Sequence, residues 1–190
     1  MKKHYNNNMI ESDSQPRNKL IIGRMTYVHL HKGKYGDVPA KVDTGADTSS
    51  IDSYRVWVDD EGKLNYVLFN KKSPYYRKKV HKTTNYSIKV VRSSNGKSQI
   101  RYAVRIGMVI EGKRIKSKFT LTDRSSNIFP VLIGAITLRN KFIVDTSYKL
   151  EAYKAQIKSS KDNLDRLGEK YSHESSLDPV KFYKERYLKQ

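Results

Sequence analysis

The sequence predicts an all-β domain over residues 20–149, followed by a helical tail over residues 150–190. The main evidence is the alternation of apolar and polar side chains over residues 100–110, which is typical of half-buried strands. Asn95-Gly96 stands just before this stretch and is a strong signal for a tight hairpin. From Leu150 the apolar spacing changes to three or four residues, which indicates an amphipathic helix.

The other elements follow from the same patterns. Residues 1–19 are polar and without period, so we predict a flexible lead-in there. The predicted strands cover residues 20–22, 27–30, 38–42, 88–90, 100–110, 115–121, 131–134 and 142–144. The second and third form a hairpin that ends at Asp43, and residues 54–84 are interpreted as further strands with a long exposed loop. We predict short helices over residues 135–140 and 178–187.

The chain is strongly basic, with 38 Lys and Arg against 19 Asp and Glu and a net charge of +19. Such a surface attracts acidic partners, so a nucleic acid, a ribosome or an acidic protein segment is expected. The sequence contains no Cys, which excludes disulfides, thiolate metal sites and a cysteine nucleophile. No apolar run approaches the length of about 18 residues that a membrane span needs, so we expect a cytoplasmic protein without membrane contact.

Asp43-Thr44-Gly45 places a carboxylate at a strand end, directly before a tight turn. Alone this is weak evidence, because turns favour these residue types. It is followed downstream by the apolar-apolar-Gly sequence Leu132-Ile133-Gly134, and Asn95-Gly96 lies between the two. This pair of motifs, with a hairpin between them, resembles the retropepsin-like aspartic peptidases.

Further motifs resemble most closely the bacterial retropepsin-like family often labelled ATP-dependent zinc proteases. They are residues 91–96, 120–125, 130–134, 138–139 and 142–145, and the resemblance covers roughly residues 18–150. It implies a closed β-barrel-like domain and an aspartic endopeptidase. It also implies a homodimer, because the chain has a single Asp-Thr-Gly and such a site needs two carboxylates that share one proton.

The resemblance implies a role for each site residue. The catalytic set is Asp43, Thr44 and Gly45, with Thr44 bonding across the dimer. The expected substrate contacts are Ala46, Asp47, Asn95 and Gly96, although Asp47 has the alternative role of orienting its loop. Leu132, Ile133 and Gly134 would pack beneath the loop. Asp123 and Arg124 would form an ion pair near the site, or Asp123 would supply the second carboxylate within one subunit.

No cofactor is predicted, because the sequence has no His-Glu-x-x-His motif and no P-loop glycine motif. His29 and His31 alternate on one strand and are a weak candidate for a metal site. We therefore predict neither zinc nor ATP binding.

Two functions remain open at this level. The first is an aspartic endopeptidase acting on peptides or proteins. The family that this chain resembles often occurs beside ligases that add glutamates to a ribosomal protein tail, so acidic tails are the expected substrates. The second is a non-catalytic module of the same fold that binds RNA, a ribosome or an acidic tail. The second is motivated by the basic stretches at 71–82 and 89–118. It is also motivated by two departures from the pattern: 50–53 lacks the usual His, and Ala135 stands where retropepsins typically have Arg.

Overall fold

The computed structural model describes residues 18–92, 96, 98–148 and 151–187. The strands are β1 (Leu20–Ile22), β2 (Met25–Leu30), β3 (Asp37–Asp43), β4 (Ser49–Val58), β5 (Leu64–Leu68), β6 (Val80–Thr83), β7 (Tyr86–Arg92), β8 (Ser98–Ile110), β9 (Lys113–Thr122), β10 (Val131–Gly134) and β11 (Phe142–Val144). The helices are α1 (Ala135–Leu138), α2 (Glu151–Leu177) and α3 (Pro179–Tyr187). The lead-in predicted over residues 1–19 lies almost entirely outside the described residues.

Six strands close into a barrel in the order β10-β3-β2-β8-β9-β4. The ring closes because β10 pairs with two partners, parallel with β3 and antiparallel with β4. Strands β5 and β6 extend outward from β4, and β7 forms an antiparallel hairpin with β8. A separate parallel pair joins β1 to β11. The predicted all-β, closed-barrel fold with a C-terminal helical extension is confirmed.

The barrel interior is filled by the apolar residues whose alternation predicted the strands. On β8, Val104, Ile106 and Ile110 are buried, whereas Arg105 and Gly107 between them are exposed. The alternation continues on β9 from Arg114 to Phe119, where a buried residue follows each exposed or half-buried one. This period of two sets an apolar face against the core and a polar face against solvent.

The β7–β8 hairpin extends beyond the barrel core. Its apolar residues Ile88, Val90 and Ile100 are 59%, 70% and 76% exposed. Val90 and Ile100 lie directly opposite each other in the register. The alternation correctly predicted a strand here, but these side chains have no core to face.

The helical extension begins within three residues of Tyr148 and contains two helices. Asp178 caps α3, because its Oδ1 accepts a hydrogen bond from the backbone N–H of Lys181 at 2.9 Å. The two helices contact each other through Tyr171 and Phe182, whose ring centroids are 6.0 Å apart. In the described ranges, no helix combines the length and apolar character that crossing a membrane requires.

Candidate active site

Asp43 is the last residue of β3, and its side chain is half-buried at the start of the following turn. Its Oδ1 accepts a hydrogen bond from the backbone N–H of Gly45 at 3.1 Å. Thr44 and Gly45 are exposed. The strand and the turn therefore present one carboxylate and one threonine hydroxyl at the surface of a single chain.

β10 lies beside this loop and holds it. Gly134 is the register partner of Asp43, and the next two backbone N–H groups donate hydrogen bonds to the loop. The N–H of Ala135 donates to the carbonyl of Ala46 at 2.7 Å, and the N–H of Ile136 donates to that of Asp47 at 3.1 Å. The structure thus brings the Leu-Ile-Gly strand against the Asp-Thr-Gly loop, as the resemblance implies.

Glycine is required at position 134 by close approach. A Cβ placed there would lie 2.6 Å from the carbonyl oxygen of Ala46, 2.7 Å from the carbonyl carbon of Thr48 and 2.9 Å from the carbonyl oxygen of Asp47. All three atoms belong to the backbone of the loop. Any larger residue would have to push the loop away from β10.

A buried hydroxyl network fixes the far end of the same loop. The Thr137 hydroxyl lies 2.7 Å from that of Ser49 and 2.6 Å from that of Ser117. The backbone N–H of Gly134 also donates to Ser49 Oγ at 3.0 Å. This network joins β4, β9, β10 and α1. It was missed in the sequence, where a Ser or Thr within a strand carries no sign of its partners.

Arg124 lies near the site, but its hydrogen-bond partners are not the expected Asp123. Its guanidinium donates to Ser50 Oγ and to the carbonyl of Phe129, both at 3.1 Å. Burial lowers the pKa of Arg124 and Arg101 lowers it further, while the charges of Asp52 and Asp43 oppose this shift. In the described part of the chain, no ion pair joins it to Asp123.

Asp52 is the buried carboxylate that organises this region, and sequence reasoning missed it. It is 2% exposed, and its two oxygens accept backbone hydrogen bonds from Arg124 and Asn70, both at 2.8 Å. Asp123 instead accepts hydrogen bonds within its own turn from Ser125, which lower the pKa of its carboxyl.

The β7–β8 hairpin reaches the loop through one side chain. Lys89 Nζ donates to Thr48 Oγ1 at 3.4 Å. Arg92 pairs with Ser98 at the end of the hairpin, and Gly96 has a φ of +80°, a conformation that favours glycine. Asn95, the other residue expected to contact substrate here, lies outside the described residues.

The described residues do not fit a zinc site. No group of three or more His, Asp or Glu side chains converges in them. His29 contacts Asp37, with Nδ1 and Oδ1 3.1 Å apart, while the His31 ring stacks on His81. The two histidines that alternate on the predicted strand therefore have separate surroundings, and β2 ends at Leu30 between them.

Comparison with known proteins assigns the fold and its loop to a family. The model of the RimB-like family, described as retropepsin-like aspartic endopeptidase RimB, matches residues 21–155. The chain belongs to this family. Both halves of the RimB-like site described above, the Asp43 loop and the Gly134 strand, lie within the matched residues.

Two curated relatives carry the name "Probable alpha-L-glutamate ligase". The chain is 28% identical over 133 residues to the one from Shewanella pealeana and 27% identical over 133 residues to the one from Shewanella halifaxensis. These matches cover 68% of this chain but 29% of each relative. The RimB-like chain thus spans less than a third of the length of these relatives.

A crystal structure of a Legionella pneumophila protein of unknown function shares the fold. It superposes with a TM-score of 0.53 at 20% sequence identity, covering 70% of this chain and 97% of that one. The likeness extends over nearly the whole Legionella chain.

Proposed function

We propose that this RimB-like chain is an aspartic endopeptidase that acts as a homodimer, with Asp43 from each subunit forming the catalytic pair. The observation that carries the proposal is the position of Asp43. It ends a barrel strand in an Asp-Thr-Gly loop that β10 holds from behind, while Thr44 and Gly45 remain exposed.

The chemistry follows from two carboxylates that lie close together and share one proton, because like charges at short range cannot both ionise. The ionised Asp43 takes a proton from a water molecule as the water oxygen attacks the peptide carbonyl carbon. The protonated Asp43 of the partner subunit donates its proton to the carbonyl oxygen, which gives a gem-diol. On collapse, the now protonated Asp43 gives its proton to the peptide nitrogen and the ionised Asp43 of the partner subunit takes one from a gem-diol hydroxyl. The C–N bond breaks, an acid and an amine leave, and the pair again holds one shared proton.

The second carboxylate is assigned to a partner subunit because the other candidates on this chain are engaged. Asp52 is buried and accepts two backbone hydrogen bonds. Asp123 accepts its hydrogen bonds from Ser125 in its own turn. Asp43, by contrast, directly precedes the exposed Thr44 and Gly45 in the Asp-Thr-Gly loop, which supports a site completed by a second copy.

Acidic protein tails are the proposed substrates. The net charge of +19 favours an anionic chain over a neutral one. The curated relatives, in which the matched region covers 29% of the length, are named for ligating glutamate. A hydrolase that removes glutamate-rich segments would act on the kind of product that their name implies.

The test is cleavage of a mixed peptide library that includes glutamate-rich C-terminal tails, read by mass spectrometry between pH 4 and 8. Wild type and Asp43→Asn are run in parallel over a range of protein concentrations, with circular dichroism to show that both are folded. We expect cuts with wild type alone, since Asn cannot act as the base. Equal cutting by Asp43→Asn would overturn the proposal.

A second function is favoured by the basic segment at residues 71–82, in which Lys71, Lys72, Arg77, Lys78 and Lys79 are interleaved with tyrosines. Such a surface suits a binding module for RNA or a ribosome. In that case Asp43→Asn leaves the affinity for RNA or the ribosome unchanged. Neutralising the lysines of this segment lowers both that affinity and its dependence on salt.

A further inference from the structure

The sheet formed by β4, β5 and β6 carries aromatic and cationic side chains on the face opposite the core. On β5, Tyr66 packs into the core, so the neighbouring Asn65 points to the other face. Trp57 of β4 and Lys82 of β6 both pair with Asn65 and share that face. Arg55 lies two residues before Trp57 on β4 and therefore belongs to the same face.

A β-bulge leaves Tyr54 exposed beside Arg55. The register of β4 with β5 shifts between Ser53 and Arg55, so Tyr54 has no partner on β5 and is 42% exposed. Lys71 Nζ lies 5.0 Å from the centroid of the Tyr54 ring. The Tyr76 ring meets the same ring edge-on, with centroids 6.1 Å apart. The bulge thus brings β4 against the basic segment at residues 71–82.

Contacts within this segment fix the backbone around Tyr76. Tyr75 turns inward, where its ring centroid lies 5.7 Å from that of the buried Phe69. The guanidinium of Arg77 donates hydrogen bonds to the carbonyls of Pro74 at 2.8 Å and Tyr76 at 3.0 Å. The rings at the surface are therefore held in place before any ligand binds, which lowers the entropic cost of binding.

Arg55 and Trp57 form a second pair of a cation and an aromatic ring. The guanidinium carbon of Arg55 lies 4.8 Å from the centroid of the Trp57 ring. Aromatic rings and guanidinium planes are both surfaces on which unpaired bases stack. We call the surface that these side chains form the aromatic face; it comprises Tyr54, Arg55, Trp57, Lys71 and Tyr76.

The charge around the aromatic face is strongly positive. Residues 62–110 contain 12 Lys and Arg and no Asp or Glu. Lys72, Lys78 and Lys79 are exposed, and in the part of the chain that the structure describes they form no ion pair. Asp59 and Glu61, at the β4–β5 turn, pair instead with lysines of that turn and of β6.

We propose that the aromatic face binds single-stranded nucleic acid. Bases stack on the rings of Tyr54, Trp57 and Tyr76, and the exposed lysines of the basic segment contact the phosphates. Proteins that bind single strands combine these two features, whereas an acidic polypeptide would use the charge and leave the rings unused. This inference rests on the second function proposed above, whose site it defines, and is independent of the peptidase function.

The test is titration of the full wild-type chain with a ten-nucleotide oligouridylate, an oligothymidylate of the same length and deca-glutamate at equal ionic strength. Anisotropy of labelled ligands gives each Kd. With unlabelled ligands, the fluorescence of Trp57, the single tryptophan of the chain, reports contact at the aromatic face. We expect both oligonucleotides to bind and quench Trp57, and deca-glutamate to leave its fluorescence unchanged. The tighter of the two oligonucleotides identifies the partner as RNA or DNA.

Two double variants test the stacking itself. Tyr54→Leu/Tyr76→Leu should weaken oligonucleotide binding at least about tenfold, because two stacking surfaces are lost. Tyr54→Phe/Tyr76→Phe keeps both rings and should bind as wild type. The matched control is Tyr148→Leu/Tyr183→Leu, at tyrosines that are 51% and 54% exposed elsewhere, and it should also bind as wild type. Circular dichroism checks folding, and Tyr54→Leu alone serves if the double leucine variant does not fold.

A charge variant tests the phosphate contacts. Lys72→Gln/Lys78→Gln/Lys79→Gln should lower the slope of log affinity against log salt by about 2, because each phosphate contact on a single strand contributes ~0.7. The matched control removes three exposed lysines of the helical extension and should keep the wild-type slope; it is Lys170→Gln/Lys181→Gln/Lys184→Gln.

The outcomes separate this site from the function on which it rests. If the lysine variant weakens binding while the leucine variant binds as wild type, the binding function stands and the stacking site is wrong. If neither oligonucleotide binds, both are wrong. Quenching of Trp57 by deca-glutamate in competition with the oligonucleotides would overturn the assignment in favour of an acidic protein partner.

Discussion

At the scale of single residues, Gly134 couples the strand beneath the site to the loop above it. Gly134→Ala should lower the free energy of unfolding by about 1–3 kcal/mol, because the new methyl group overlaps backbone atoms that cannot rotate away. It should also lower kcat, since the loop that moves carries Asp43. Thermal unfolding and single-turnover cleavage measure the two effects.

Gly107→Ala is the matched control. A Cβ at Gly107 meets nothing within 4 Å, and the residue lies in a strand interior. The variant should unfold at the wild-type temperature or slightly above it. Equal unfolding temperatures in the two alanine variants would show that the close approach at Gly134 does not contribute to the requirement for glycine there.

The residues that sequence reasoning located are those defined by local pattern. Asp43 and Gly134 belong to short motifs, and the structure places them as register partners on β3 and β10. Asp52, Ser117 and Thr137 were missed because their roles depend on partners far away in sequence. Ser49 and Thr137, for example, are 88 residues apart. A buried hydrogen-bond network of this kind leaves no periodic trace in the chain.

At the scale of elements, β6 is attached to the barrel through a histidine. His81 lies opposite Tyr66 of β5, stacks on that ring with centroids 5.0 Å apart, and accepts or donates a 2.6 Å hydrogen bond with the Tyr35 hydroxyl. Its other neighbour is His31, whose Nε2 is buried without a hydrogen-bond partner among the described residues. His81 therefore adds ring contacts to the backbone ladder between β5 and β6, and these contacts surround an imidazole that burial favours in its neutral form.

This attachment should weaken in acid. Burial, together with His31 and Lys79, lowers the pKa of His81 to about 4, and the pKa of His31 is lowered as well. Between about pH 6.5 and 4 the unfolded chain binds a proton that the folded chain does not, so stability falls as the pH falls through this window. Thermal unfolding across this range measures the slope.

His81→Gln should flatten that slope, because glutamine keeps a polar partner for Tyr35 and does not titrate. His173→Gln, at an exposed position on α2, is the control and should leave the slope as in wild type. An unchanged slope in His81→Gln would show that the acid sensitivity has another source.

The strands themselves were largely predictable, since alternation over β8 and β9 gives their course and buried faces, although each strand begins two residues before its predicted start. Closure of the barrel was not predictable from alternation, because it depends on β10 pairing with β3 and β4, which precede it by many residues. The resemblance supplied this part. The exposure of Val90 and Ile100 was also beyond the pattern, which reports a strand but not what the strand faces.

At the scale of the whole molecule, the peptidase proposal predicts that activity depends on assembly. Specific activity should rise with protein concentration and reach a plateau where sedimentation shows dimer. Thr44→Ala should shift both the activity curve and the sedimentation curve to about tenfold higher protein concentration. Under the proposal, the exposed Thr44 hydroxyl lies near the two-fold axis, and the variant loses its hydrogen bond to the partner's copy.

Thr84→Ala, at another exposed position, is the control for the loss of a surface hydroxyl. Both curves should match wild type in this variant. Constant specific activity down to concentrations at which only monomer sediments would contradict a shared site and would direct attention to a carboxylate within one chain.

The double pairing of β10 also limits local opening of the candidate site. The loop that carries Asp43 connects β3 to β4, and the same strand hydrogen-bonds to both. Releasing the loop by local opening would mean breaking the ring, so the amides of Gly134 and Ala135 should exchange with deuterium only on global unfolding. In the β7–β8 hairpin, whose outer apolar residues are exposed, the amides should exchange faster than those of Gly134 and Ala135. Under the peptidase proposal, a hairpin that admits substrate and a loop that holds the catalytic carboxylate would therefore open at different rates within one barrel.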